Sequence, residues 1–146
     1  MTVRGVQLRV SCKNGEQYDV LGAFWDEVRK YHPKMLLVGI GHSWENDTFC
    51  YLIGKEGGLP EKTVEKVCER FPEADSVRLK VPDGHWDVYR GRLEWLDEMY
   101  EEIYKDGPLI YEMERIHENG AITIFIRRKY GALYEYLPQE KRYRAV

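Results

Sequence analysis

The sequence predicts an α+β fold: tandem βαββ repeats forming a pseudo-twofold antiparallel sheet with helices on one face. Three observations lead there. The stretch "VQLRVSC" (6–12) alternates apolar and polar residues, as a strand with one buried face does. The next stretch, "YDVLGAFWDEVRKYH" (18–32), changes to helical spacing, with Val20, Phe24, Val28 and Tyr31 recurring along one stripe. The order strand, helix, strand, strand then reads a second time after residue 75.

Taken in order, the first helix has Asp19 as its expected N-cap and is stopped by Pro33. "KMLLVGIGHSW" (34–44) and "TFCYLIGKEG" (48–57) follow as a hairpin over "END". These elements make a first βαββ unit over 3–54. Pro60 opens a connecting helix (60–71) with Val64, Val67, Cys68 and Phe71 on one side, and Pro72 closes it. The second unit, 75–128, begins with "DSVRLKVPDGHWDVYRG", a strand interrupted or bulged at "PDG". Its helix, "LEWLDEMYEEIYKDG", carries Leu93, Leu96, Tyr100 and Ile103 in one stripe flanked by Trp95, Met99 and Tyr104, with Gly107 after its end. "PLIYEMERIHE" and "AITIFIRRKY" close the unit as a hairpin over "ENG". Residues 129–146 read as a C-terminal extension.

The chain has 146 residues, enough for one domain, 1–128, with a core of its own. The net charge of −3 and the lack of a basic cluster before the tail argue against direct nucleic-acid binding. Cys12, Cys50 and Cys68 are odd in number and widely spaced, which suggests neither a zinc site nor a disulfide framework and favours a cytoplasmic setting. No apolar run approaches the ~20 residues of a membrane span. His42 and His85 lack positioned partners, and no Ser-His-Asp, HExxH or phosphate-loop pattern is present. No metal site and no cofactor are expected.

Two features remain for chemistry. The chain carries four tryptophans and eleven tyrosines, material for a wall that receives a flat or cationic ligand. Alternation in "PLIYEMERI" (108–116) places Ile110, Glu112, Glu114 and Ile116 on one face and Leu109, Tyr111, Met113 and Arg115 on the other. Tyr111 and Tyr89 are expected under the helices, which puts Glu112 and Glu114 on the face away from them. Trp25 and Trp95 are expected in the core. A cleft between the repeated halves is the natural binding groove.

The motifs "FWDEV" (24–28), "LLVGIGHSW" (36–44), "FCYLIG" (49–54), "VPDGHWDVYRG" (81–91), "LEWLDEMYEEIY" (93–104) and "PLIYEMERI" resemble, in order and spacing, the GyrI-like small-molecule-binding domain. That family includes gyrase-inhibitory proteins and the effector-binding domains of AraC- and MerR-type multidrug regulators. The resemblance implies a tandem βαββ fold with a ligand groove between the halves. It places Glu112 at the family's cation-anchoring position and Trp86 at its pocket aromatic. Trp44 and Tyr51 match more loosely, and Glu114 stands where the family commonly has an apolar residue.

The reading that follows is a stand-alone, cytoplasmic protein that binds a small hydrophobic or cationic molecule through Glu112, Glu114, Trp86, Trp44 and Tyr51, as a sensing or sequestering module. A homodimer is compatible with it. A second reading is a hydrolase of strained, cyclopropanoid-type electrophiles, with Glu112 and Tyr51 activating water. A third is a protein partner of gyrase.

Overall fold

The computed structural model describes residues 1–128 with their side chains, and the backbone of two short strands, β8 (Tyr134–Leu137) and β9 (Arg142–Ala145), which pair antiparallel. The rest of the expected extension 129–146 lies outside the described residues. The fold class is α+β, as the sequence predicts. The chain forms two compact units, Met1–Asp83 and Gly84–Val146.

The first unit contains β1 (Thr2–Ser11), α1 (Glu16–Tyr31), β2 (Val38–Glu45), β3 (Thr48–Glu56), α2 (Glu61–Arg70) and β4 (Asp75–Lys80). Its strands lie in the order β4-β1-β3-β2, all antiparallel. The register sets Val6, Leu8, Val10, Phe49, Tyr51 and Ile53 on one face, where they meet the buried side of α1 at Phe24, Trp25 and Val28. The helix starts earlier than its expected Asp19 cap. A 3-10 turn at Lys13–Gly15 leads into it, with Gly15 left-handed at φ 74°. The second unexpected feature is a bulge in β2. Ser43 adopts φ 56°, the register shifts between His42 and Glu45, and Trp44 stacks on Phe49 at 5.5 Å. Uninterrupted alternation places Trp44 on the face of His42 and Ile40; the extra residue turns it to the other face.

The second unit contains β5 (Asp87–Arg92), α3 (Leu96–Lys105), β6 (Leu109–Ile116) and β7 (Ala121–Arg128), with strand order β6-β7-β5. The stretch read as one strand interrupted at Pro82–Gly84 is thus two strands, β4 paired with β1 and β5 paired with β7. Ile122, Ile124 and Ile126 alternate on β7 and pack with Tyr89 against Met99, Tyr100 and Ile103 of α3. Each fully buried isoleucine contributes about 1.5–3 kcal/mol.

Two helix-stripe expectations fail at the start of α3. Leu93–Trp95 form a 3-10 turn, whose tighter winding rotates them off the α-helical stripe. Leu93 and Trp95 are consequently exposed, Trp95 by 46%. No described helix is long and apolar enough to cross a membrane.

Candidate functional site

The site grows from a match between two periods. Residues i and i+4 on a helix are displaced by about 6 Å along its axis, and residues i and i+2 on a strand by about 6.8 Å. Tyr100 and Tyr104 of α3 can therefore each oppose one member of the Glu112/Glu114 pair on β6. The Tyr100 hydroxyl donates to Glu114 Oε1 at 2.6 Å, and the Tyr104 hydroxyl donates to Glu112 Oε2 at 3.4 Å. The two phenol rings stack at 5.6 Å. Chain direction reverses between helix and strand, so the earlier tyrosine meets the later glutamate.

Both carboxylates are buried, Glu112 to 4% and Glu114 to 6% exposure. Their cross-strand neighbours Ile126 and Ile124 belong to the core under α3. The expectation that the acids face away from the helices is overturned, and so is the expected place of Tyr111 under them. The two acids face α3 because its Tyr100 and Tyr104 hydroxyls donate to them, and a bulge between Leu109 and Tyr111 exchanges the first residues of the strand between the faces. Leu109, not Ile110, joins the core face with Glu112, while Ile110 is exposed. Tyr89, by contrast, packs under α3 as expected.

Burial is the main influence on Glu112, and the neighbouring charge of Glu114 adds to it. Together they raise its carboxyl well above the ordinary carboxylate range, partly offset by the hydroxyls of Tyr104 and Tyr100. Among the described residues no Lys or Arg forms an ion pair with Glu112. Such a group can hold a proton, accept an organic cation, or exchange protons with a bound molecule. Tyr104 stands at the outer side of this arrangement with half of its surface exposed (50%).

The remaining predicted residues lie elsewhere. The Trp86 ring packs against Tyr111 at 6.1 Å, on the sheet face away from α3, so Trp86 and Glu112 are not brought together. In the first unit Tyr51 is fully buried, and its hydroxyl accepts a 2.9 Å hydrogen bond from Trp25 Nε1. Trp44 stacks on Phe49, which meets Tyr51 edge-on at 6.3 Å, and Arg29 lies 5.0 Å over Trp25. Trp25 is a core residue, as expected. His42 is buried on the opposite face. It contacts Gln7 at 2.7 Å and Ser43 at 2.9 Å, and burial together with Arg9 lowers its pKa.

The helical period by itself places Tyr100 in the apolar stripe of α3 and Tyr104 at its flank, with no chemical role. Their i, i+4 spacing beside an i, i+2 pair of acids is the signal that finds them.

No family model matches the sequence, and no curated protein matches it. Among solved structures, the chain superposes on SAV2435 bound to tetraphenylphosphonium with a TM-score of 0.60 over 86% of this chain and 87% of that one, at 8% sequence identity. At that identity the likeness establishes a shared fold.

Proposed function

We propose that this chain is a GyrI-like small-molecule-binding protein in which Glu112 receives the charge of a lipophilic cation. The observation that carries the reading is the state of Glu112: a carboxyl buried to 4% exposure, beside a second buried acid, with no described Lys or Arg to neutralise it. An ionised carboxylate so placed is costly unless a cation reaches it. The face of the neighbouring Tyr104 ring adds attraction for an organic cation. The shared fold with SAV2435, a protein whose structure contains tetraphenylphosphonium, supports the same reading. A sensing or sequestering module is the role this binding suits.

The test is calorimetric titration of tetraphenylphosphonium into wild type and Glu112→Gln. The variant should bind at least tenfold more weakly. Equal affinities would remove Glu112 as the anchor.

One observation favours a second reading, a hydrolase. A carboxyl with a raised pKa next to two phenol donors is an acid–base set able to orient water. In that reading Tyr104 and Tyr100, not Tyr51, assist Glu112. Incubation with a cyclopropane-bearing electrophile separates the readings, because turnover lost in Glu112→Gln is expected only of an enzyme.

A further inference from the structure

The sheet of the second unit separates charge between its two faces. The face under α3 carries Asp87, Glu112, Glu114 and Arg128. The strand register puts Val88, Arg90, Arg92, Tyr111, Met113, Arg115, Ala121, Thr123, Phe125 and Arg127 on the other face. That face has four arginines and no acid. Arg90 and Arg115 are both direct cross-strand neighbours of Thr123, one on each side, so a cation, a hydroxyl and a cation stand in one row across three strands. The next row is Val88, Phe125 and Met113, apolar throughout.

Two details distinguish this row from a solvated basic surface. Arg115 Nε is buried with no hydrogen-bond partner, a donor that lacks an acceptor. The Arg115 guanidinium also sits 5.5 Å over the Phe125 ring, which holds it in place. Among the described residues neither Arg90 nor Arg115 makes an ion pair. Arginine donors in a fixed fork suit the paired oxygens of a phosphate.

We infer that the Arg90–Thr123–Arg115 row is a binding site for a phosphate carried on a flat ring, as in an aryl or nucleoside monophosphate. The phosphate oxygens take the two guanidinium groups and the Thr123 hydroxyl. The ring lies against Val88 and Phe125, the partly exposed end of the next row, about 6.8 Å further along the strands, while Met113 at the other end is already buried. Arg115 Nε gains the acceptor it lacks. This site is independent of Glu112 and has ligands of the opposite charge.

The experiment follows the arginine Nε–H signals of ¹⁵N-labelled protein while phenyl phosphate, inorganic phosphate or phenol is added. The Arg115 signal, identified by its loss in Arg115→Lys, should move with phenyl phosphate. Phenyl phosphate should bind about tenfold more tightly than inorganic phosphate, and phenol should leave the signal in place. Arg90→Gln should weaken phenyl phosphate about tenfold, one charge-assisted contact's worth. Thr123→Val, a milder change, should weaken it less, and Glu112→Gln should leave it unchanged. A stationary Arg115 signal up to millimolar phenyl phosphate overturns the site. Binding that is equally tight in Arg90→Gln and Thr123→Val does the same, and equal affinity for the two phosphates overturns the ring's part in it.

Discussion

The Tyr104 hydroxyl reaches Glu112 Oε2 at 3.4 Å, a long hydrogen bond on a buried carboxyl, while its ring remains half exposed. The neighbouring pair is tighter, with Tyr100 donating to Glu114 at 2.6 Å. Side by side, the two pairs combine a firm inner contact with a loose outer one, and the loose one covers the group whose charge is least satisfied.

The raised pKa of Glu112 has opposite consequences for stability and for binding. The folded chain holds the Glu112 proton to higher pH than the unfolded chain does. Its contribution to stability is therefore fully present below the ordinary carboxylate range and is lost as pH rises through the raised value. Glu112→Gln cannot ionise, so it should match wild type in acid and exceed it above that window by about 1–3 kcal/mol. Affinity for tetraphenylphosphonium should instead rise with pH through the same window, because the ionised form is the receptor. Urea unfolding of both proteins at acid and alkaline pH checks the first statement. A pH-independent difference between them would count against it.

The tyrosines should separate in the same measurement. Tyr100→Phe removes a short bond to a buried acid and should cost about 1.5–3 kcal/mol. Tyr104→Phe removes only the long bond and should cost about 0.5–1.5 kcal/mol. Tyr104→Phe should also push the Glu112 pKa further up, since that hydroxyl is one of the groups lowering it. Equal costs for the two variants would mean that the two pairs differ less than their distances indicate.

How much of this was legible beforehand depends on where backbone regularity holds. The tandem strand–helix–strand–strand order and the isoleucine ladder at 122, 124 and 126 follow from periodicity alone, and the structure reproduces them. The acid pair was visible in "YEMER", but its face was not. The alternation of Glu112 and Glu114 against Tyr111 and Met113 holds, but a period of two does not say which face meets the helix, and the bulge at Ile110 exchanges only Leu109 and Ile110 between the faces. The left-handed Ser43 does the same to Trp44, at a position where the sequence has no glycine to announce it. Pairing between α3 and β6 is a tertiary relation, so Tyr100 and Tyr104 looked like ordinary core aromatics until the strand's face was known.

In the first unit the close packing of Trp25 on Tyr51 depends on the missing side chain of Gly39. A β-carbon there would lie 2.7 Å from the Trp25 ring and would clash with the Tyr51 hydroxyl itself. Gly39→Ala should cost about 1–3 kcal/mol through forced displacement of both rings. Tyr51→Phe removes the clashing oxygen, along with the hydrogen bond from Trp25. The double variant should therefore be more stable than the sum of the two single costs allows. A double-mutant cycle by chemical denaturation measures this, and strict additivity would show that the glycine is needed for some other reason.

Arg128 supports the wall behind the acid pair. It is buried, pairs with Asp87 at 3.2 Å, and donates to the Ile103 carbonyl at 2.8 Å and the Gly107 carbonyl at 3.4 Å. It also donates to the Tyr89 hydroxyl at 2.5 Å. One planar group thus fastens the end of α3, where carbonyls lack helical partners, to the first strand of its own unit. Removing the cation leaves a buried carboxylate and open carbonyls together, so Arg128→Met should cost about 3–5 kcal/mol. Asp87→Asn should cost less, about 1–3 kcal/mol, because the arginine keeps its carbonyl and phenol acceptors. Arg128→Lys tests geometry apart from charge. A single ammonium cannot span acceptors arranged around a guanidinium fork, so this variant should recover only a minor part of the loss. Full recovery in the lysine variant would show that net charge, not the fork, is what α3 requires.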